Sequence, residues 1–258
     1  MMLTRRVILG LAAAAPLGAA AASLPEQSAG IALDHAFPDP NVSYLLTACA
    51  TTRAICSRWA HPMDPVTVGS LVKPFTALAY GETCGFRYPA FTCSGARCWL
   101  PQGHGRLEIG SAIAHSCNAY FLELAREVKP QALQSVIQRF GLSAPDPGFQ
   151  APTLIGLGTS WRISPFAVAR AYSELIARSA DPGVRELLAG MALSAQSGTG
   201  RGAGRGAYVK TGTAGHDGYV IALYPSDAPR FNLLVRVHGV PGAQAAWVCG
   251  KMRRYVPA

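Results

Sequence analysis

Ala207-Tyr208-Val209-Lys210-Thr211-Gly212-Thr213 opens a run of three β-forming segments that ends at His238. Residues 219–224 and 231–238 are dense in Val, Ile, Leu, Tyr and Phe, the residues that suit a pleated surface. Asp217-Gly218 and the stretch 225–229, bounded by two prolines, supply turn signals between them. Residues 242–255 then read as a closing helix. At the other end, residues 42–50 and 53–59 read as two short strands around a Thr51-Thr52 turn. Between the two strand groups the apolar period becomes helical. One helix is expected over 71–80, starting at Gly69-Ser70, with Pro74 in the first turn, where a missing N–H matters little. Ile109, Ile113, Tyr120, Leu124 and Val128 recur at helical spacing across 107–128, with a break near 116–118. Further helices are expected over 131–140, stopped by Gly141, and over 165–178 and 184–194. Residues 81–105 read as loop. Strands at both chain ends around a helical insert imply an α+β fold, an antiparallel β-sheet flanked by helices.

The chain has 258 residues, half of them apolar and 14% charged. That is ample for a core and excludes a disordered chain. No internal repeat is visible. Arg5 and Arg6 precede an apolar, Ala-rich run over 7–22, and polar Ser23, Glu26 and Gln27 follow. A basic start, a short apolar stretch and small residues before a polar one read as a signal peptide over 1–23. Thr4-Arg5-Arg6-Val7-Ile8-Leu9 resembles a twin-arginine signal. An uncleaved N-terminal anchor is the alternative. Either reading places residues 24–258 outside the cytoplasm, in the periplasm or cell envelope.

The formal charge is +9, two units of it from Arg5 and Arg6. The remaining basic residues are scattered and accompany no recognition motif, which argues against nucleic acid and leaves membrane or envelope-protein association open. The seven cysteines are an odd number, so at least one is unpaired. Cys49 and Cys56 flank the first turn and are placed to pair across it. Cys84, Cys93, Cys98 and His104 share one segment, but their spacing fits no zinc pattern, and disulfides or free thiols are expected there.

Three short motifs carry chemistry. Ser70-Leu71-Val72-Lys73 is an S-x-x-K, Ser116-Cys117-Asn118 an S-x-N, and Lys210-Thr211-Gly212 a K-T-G. A serine hydroxyl needs a base to become a nucleophile, and residues three apart on a helix share a face, so Lys73 reaches Ser70. A lysine serves as a base only when its pKa falls, through burial and a nearby cation, here Lys210. A helix start at Ser70 also points a backbone N–H at a developing oxyanion. Each motif alone is weak; their order and contexts together are not. Cys117 reads as a packed thiol, and His216-Asp217 as part of a glycine-flanked turn.

The set resembles the transpeptidase domain of penicillin-binding proteins, class B-like, in the serine β-lactamase/D,D-peptidase superfamily. Gly69 to Phe75 is similar to that family's nucleophile segment, and His115 to Phe121 to its second motif. Gly103-His104-Gly105, the segment from Ile163 to Tyr172, Gly198-Thr199-Gly200 and the run from Lys210 to Ala214 extend the likeness. The likeness does not extend to the long N-terminal pedestal such proteins usually carry, so a stripped transpeptidase domain is expected.

The resemblance implies Ser70 as nucleophile, Lys73 as base and Ser116 as proton relay. It implies Asn118 on the substrate amide, and Lys210, Thr211 and Thr213 on a terminal carboxylate. Thr213 supplies the second oxyanion N–H, and Gly212 leaves room for substrate against an edge strand. Residues 24–258 would be the transpeptidase-like domain, acting on peptidoglycan stem peptides and binding β-lactams, with no cofactor. A β-lactamase and a non-catalytic penicillin-binding or sensor domain are the alternatives. No Glu-x-x-x-Asn segment of the class A β-lactamase kind lies between Ser116 and Lys210, and Asn118 departs from the class D pattern.

Overall fold

The computed structural model describes residues 24–257, so the expected signal peptide lies outside the described residues. The chain runs through helix α1 (Leu24–Ala36) and strands β1 (Val42–Ala48), β2 (Ala54–Ser57) and β3 (Val66–Thr67). A 3₁₀ turn, Gly69–Val72, leads into α2 (Lys73–Cys84). There follow β4 (Phe91–Cys93), β5 (Gly105–Leu107), α3 (Ile109–Ala114), α4 (Asn118–Glu127), α5 (Pro130–Phe140) and α6 (Ala151–Leu154). Then come β6 (Arg162–Ile163), α7 (Pro165–Ala177), α8 (Val184–Ser197), β7 (Tyr208–Ala214), β8 (Asp217–Tyr224), β9 (Phe231–His238) and α9 (Gly242–Met252).

The main sheet is antiparallel with strand order β2-β1-β9-β8-β7. This is the expected α+β layout, with the first and last strand groups merged into one sheet. Both of its faces are covered, so β8 and β9 read as almost unbroken apolar runs. Alternate residues serve the two sides. Tyr219, Ile221 and Leu223 join the core under the helical insert. Val220, Ala222 and Tyr224 join a second core with Leu33 of α1 and Ala245, Cys249 and Met252 of α9. Among the described residues no helix is long and apolar enough to cross a membrane.

Several expectations need correction. Asp217-Gly218 is no turn: both residues pair in the β7–β8 ladder, opposite Ala214 and Thr213, and the chain reverses at Gly215-His216. Segment 81–105 is not all loop, because α2 continues to Cys84 and β4 pairs with β5. Helix α1 was not foreseen. Ala29 and Leu33 are buried on it while Ile31 is 74% exposed, too narrow an apolar stripe to announce a helix. Cys49 and Cys56 do not pair: Cys56 lies opposite Leu46, Cys49 lies beyond the end of β1, and both are free.

Candidate active site

Ser70 sits in the 3₁₀ turn, whose i, i+3 positions eclipse, and the Lys73 N–H donates to the Ser70 carbonyl. The two residues are therefore stacked one turn apart, as the S-x-x-K spacing predicts. Three contacts fix the turn. Gly69 has φ +57°, and a Cβ there would overlap the Thr213 backbone, so only glycine lets the turn rest on β7. The Tyr172 hydroxyl of α7 donates to the Leu71 carbonyl at 2.8 Å. Thr76 donates its hydroxyl to the Leu154 carbonyl.

Ser116 and Asn118 lie where α3 stops and α4 begins. The Cys117 sulfur accepts from the Tyr120 N–H at 3.5 Å and caps α4. Ser116 adopts φ +51°, a left-handed conformation uncommon for a residue with a side chain. The break expected near 116–118 is this turn. The Trp99 indole N–H donates to the His115 and Ser116 carbonyls, both at 3.2 Å, and holds it from above.

Lys73 and Lys210 are both fully buried and both meet Ser116. Lys73 Nζ donates to the Ser116 carbonyl at 2.7 Å and to Asn118 Oδ1 at 2.6 Å. Those two bonds use both N–H groups of a neutral amine, and the Ser116 hydroxyl lies 3.3 Å away. Lys210 Nζ lies 2.8 Å from the Ser116 hydroxyl and 2.7 Å from the Thr211 carbonyl. No carboxylate forms an ion pair with either lysine among the described residues. Burial lowers the Lys73 pKa to about 7, with the Cys117 and Cys98 thiols opposing it in part. Burial, and then the charge of Lys73, push Lys210 well below the usual lysine range. Of the two expected causes, burial is the one that brings Lys73 toward neutrality, and Lys210 is not among the groups that shift it.

Ser70, Ser116, Asn118, Thr211, Gly212 and Thr213 line one cleft of about 510 Å³, and the two lysines lie behind it. The cleft runs along β7, which is an edge strand as expected. Among the described residues the Ser70 hydroxyl has no hydrogen-bond partner, so the direct Ser70–Lys73 bond is not formed here. Gly212 lines this cleft and also meets a packing constraint. A Cβ there would overlap the Val68 carbonyl and crowd Leu71, so the missing side chain lets β7 pack against the nucleophile turn itself. The Thr213 hydroxyl oxygen accepts the Gly242 N–H at the start of α9, at 3.0 Å. Thr211 donates its hydroxyl to that of Thr199 at 2.6 Å.

Thr199, Trp99, Leu157, Pro241 and Ala243 also line the cleft, and sequence reasoning assigned them no role. They are single residues from separate loops and the start of α9, without a shared period. The glycines around Thr199 were the one available signal. His216 does sit on a glycine-flanked turn, and Asp217 pairs with His238 Nδ1 at 2.9 Å instead. Cys93, Cys98, His104 and Cys117 converge behind the S-x-N turn, their potential ligand atoms within 4.8 Å of one another. Cys84, grouped with them on sequence proximity, is not among them, and Cys117 takes its place.

Residues 63–246 match the family described as penicillin binding protein transpeptidase domain, which is more than half of the chain. The chain belongs to this family. A comparison with curated protein sequences found no match. Among solved structures, PBP2 of Pseudomonas aeruginosa, in complex with WCK 5153, superposes with a TM-score of 0.75 at 18% identity, covering 86% of this chain and 74% of that one. The transpeptidase domain of the FtsI4 D,D-transpeptidase from Legionella pneumophila gives 0.69 at 16% identity, covering 92% and 98%. PBP2 of Helicobacter pylori, solved as a complex with MreC, gives 0.71 at 16% identity, and the chain spans 61% of its length. At these identities the likeness is one of fold.

Proposed function

We propose that this protein is a D,D-transpeptidase or D,D-carboxypeptidase that acts on peptidoglycan stem peptides through an acyl-enzyme on Ser70. The observation that carries this reading is the Ser116 hydroxyl, bracketed by two buried lysine amines and opening onto the cleft that holds Ser70. Ser70 Oγ attacks the carbonyl carbon of the D-Ala-D-Ala amide. Its proton passes to the lone pair of Lys73 Nζ, which burial keeps available near neutral pH. The N–H groups of Ser70 and Thr213 receive the oxyanion. Collapse breaks the C–N bond. The leaving amine of D-Ala takes a proton returned by Lys73 through the Ser116 hydroxyl. An acceptor amine or a water then attacks the ester and releases Ser70.

Asn118 Oδ1 accepts from Lys73 Nζ, which leaves the Asn118 NH₂ group for the substrate amide. The edge strand β7 adds main-chain hydrogen bonds to an extended peptide. Lys210, Thr211 and Thr213 attract the terminal carboxylate, which also supplies the negative charge that two buried amines lack. Such a carboxylate is common to D-Ala and penicillins, so β-lactams enter the same cleft. Residues 24–258 act outside the cytoplasm in this reading, and the relative solved with MreC makes an envelope protein a reasonable partner class.

The test is release of D-Ala from a D-Ala-D-Ala pentapeptide, with and without an acceptor amine. Release with formation of a cross-linked product supports the transpeptidase. Release with water alone supports the carboxypeptidase. No release, together with rapid hydrolysis of penicillin, replaces this reading with a β-lactamase. A stable penicillin adduct without peptide turnover replaces it with a sensor domain.

A further inference from the structure

We propose that Cys93, Cys98, His104 and Cys117 form a zinc site whose task is to hold the S-x-N turn. The four come from separate pieces of backbone. Cys93 ends β4, Cys98 lies in the following loop, His104 immediately precedes β5, and Cys117 caps α4. The β4–β5 pairing, with Cys93 opposite Gly105, brings His104 back beside Cys93. Gly95 and Gly103 take positive φ and pack against facing backbone, which winds the loop tightly enough to bring Cys98 to the same point. The cluster is therefore built by the chain's course and not by chance contact on a surface.

The distances suit a metal better than a disulfide. Tetrahedral zinc with Zn–S near 2.3 Å and Zn–N near 2.0 Å requires S···S edges of about 3.8 Å and S···N edges of about 3.5 Å. Cys98 Sγ lies 3.7 Å from Cys117 Sγ and 3.5 Å from His104 Nδ1. A disulfide needs about 2.05 Å between sulfurs. Cys93 is 2% exposed and Cys117 is fully buried, while Cys98 and His104 are half-buried. His104 turns its Nδ1 to the Cys98 sulfur, the nitrogen placed to ligate, while its Nε2 is buried without a hydrogen-bond partner. Three thiolates and one imidazole exclude hard cations such as Mg²⁺ and Ca²⁺, which take oxygen ligands. A full Cys₃His set leaves no open position, which marks a structural site and not a catalytic one.

The consequence reaches the active site through one residue. Cys117 stands between Ser116 and Asn118, and Ser116 is held at φ +51°. A metal that fixes Cys117 and Cys98 clamps this turn to the loop that carries Trp99, whose indole donates to the Ser116 carbonyl. Zinc displaces the thiol protons on binding, so its affinity falls as pH falls.

The experiment is metal analysis of the full chain, purified under reducing conditions, by inductively coupled plasma mass spectrometry. One zinc per chain is expected. Replacement by Co²⁺ is expected to give tetrahedral ligand-field bands in the visible and thiolate charge-transfer absorption in the near ultraviolet. Cys93→Ser and His104→Ala are expected to lose the metal, whereas Cys84→Ser and Cys49→Ser keep it. Removal of zinc by a chelator is expected to slow penicillin acylation by about tenfold or more. If the variants fail to fold, the cobalt spectrum of the unaltered protein still decides. Metal-free protein that gives no cobalt thiolate band overturns the proposal, as does a Cys98–Cys117 disulfide found in the exported protein. Metal content and spectrum do not depend on peptide turnover. A zinc protein that fails to acylate would overturn the proposed enzyme and leave this site standing.

Discussion

Two regions reach the Ser116 turn from opposite sides, and they are built on different physics. Strand β7 brings Lys210, and its position is set by a continuous ladder with β8 from Tyr208↔Leu223 to Ala214↔Asp217. The segment from Phe91 to Leu107 brings Trp99 and Cys98, and its ladder is only three pairs long. In β7 a side chain's place follows from main-chain register. In the loop it follows from a few turns and a knot of sulfurs. A catalytic group is positioned durably when its backbone is paired, and needs a local fastening when it is not.

The largest expected effect lies at the nucleophile, where neither scaffold is disturbed. Ser70→Ala removes the attacking oxygen from a turn fixed by Gly69, Tyr172 and Thr76. It is expected to abolish penicillin labelling and to leave the thermal unfolding midpoint almost unchanged, by gel fluorescence and differential scanning fluorimetry. Lys73→Met comes next. Acylation is expected to fall by about 10²–10⁴-fold, the usual contribution of a general base, while stability at neutral pH holds or rises because a buried amine is gone. A fall in stability instead would mean that Lys73 chiefly supports the turn through its bonds to Ser116 and Asn118.

The pH dependence tests the same pair. Lys73 has its pKa lowered from 10.5 to about 7 by burial, and Lys210 shifts in the same direction. The groups set against Lys73 are the thiols of Cys117 and Cys98 and the ring of Phe121. The unfolded chain therefore binds more protons than the folded one between pH 7 and 9. Stability is expected to rise with pH across that window in urea titrations. Above it, buried thiols such as Cys49, raised from 9.0 to about 11, reverse the sign. Acylation is expected to rise through pH 7 as Lys73 loses its proton. A flat rate from pH 6 to 9 would remove Lys73 from the role of base.

Smaller changes sharpen the contrast between the two regions. Gly212→Ala presses a methyl group onto the Val68 carbonyl and is expected to destabilise by about 1–3 kcal/mol. It also separates β7 from the Ser70 turn, so acylation falls further than stability explains. Thr199→Val takes away the acceptor of the Thr211 hydroxyl and is expected to cost about 1 kcal/mol, read as a small fall in unfolding midpoint with a raised KM for peptide.

The same contrast explains what the sequence made legible. Strands β7, β8 and β9 and helices α5 and α7 were readable because composition and period agree with their final environment. The three motifs were readable because short-range geometry, a turn or a strand, carries them. The segment from Gly81 to Gly105 was not, since its hairpin is short and its glycines signal turns without saying where they lead. Cys117 was read as a packed thiol, and its neighbours in space are 13 to 24 residues away in sequence, at no standard metal spacing. The Asp217-Gly218 pair misled because a strong turn dipeptide lies inside a ladder that both its neighbours require. Gly212 was seen, but its contact with Val68 comes from a distant segment that no local pattern reports.

The most direct test of the account is a time course of intact mass after mixing the protein with benzylpenicillin, followed by peptide mapping of the adduct. The account predicts one penicilloyl group per chain, persistent over the assay, located on the peptide that contains Ser70 and absent from Ser70→Ala. An adduct on Ser116 or on a cysteine, or undiminished labelling of Ser70→Ala, would contradict it.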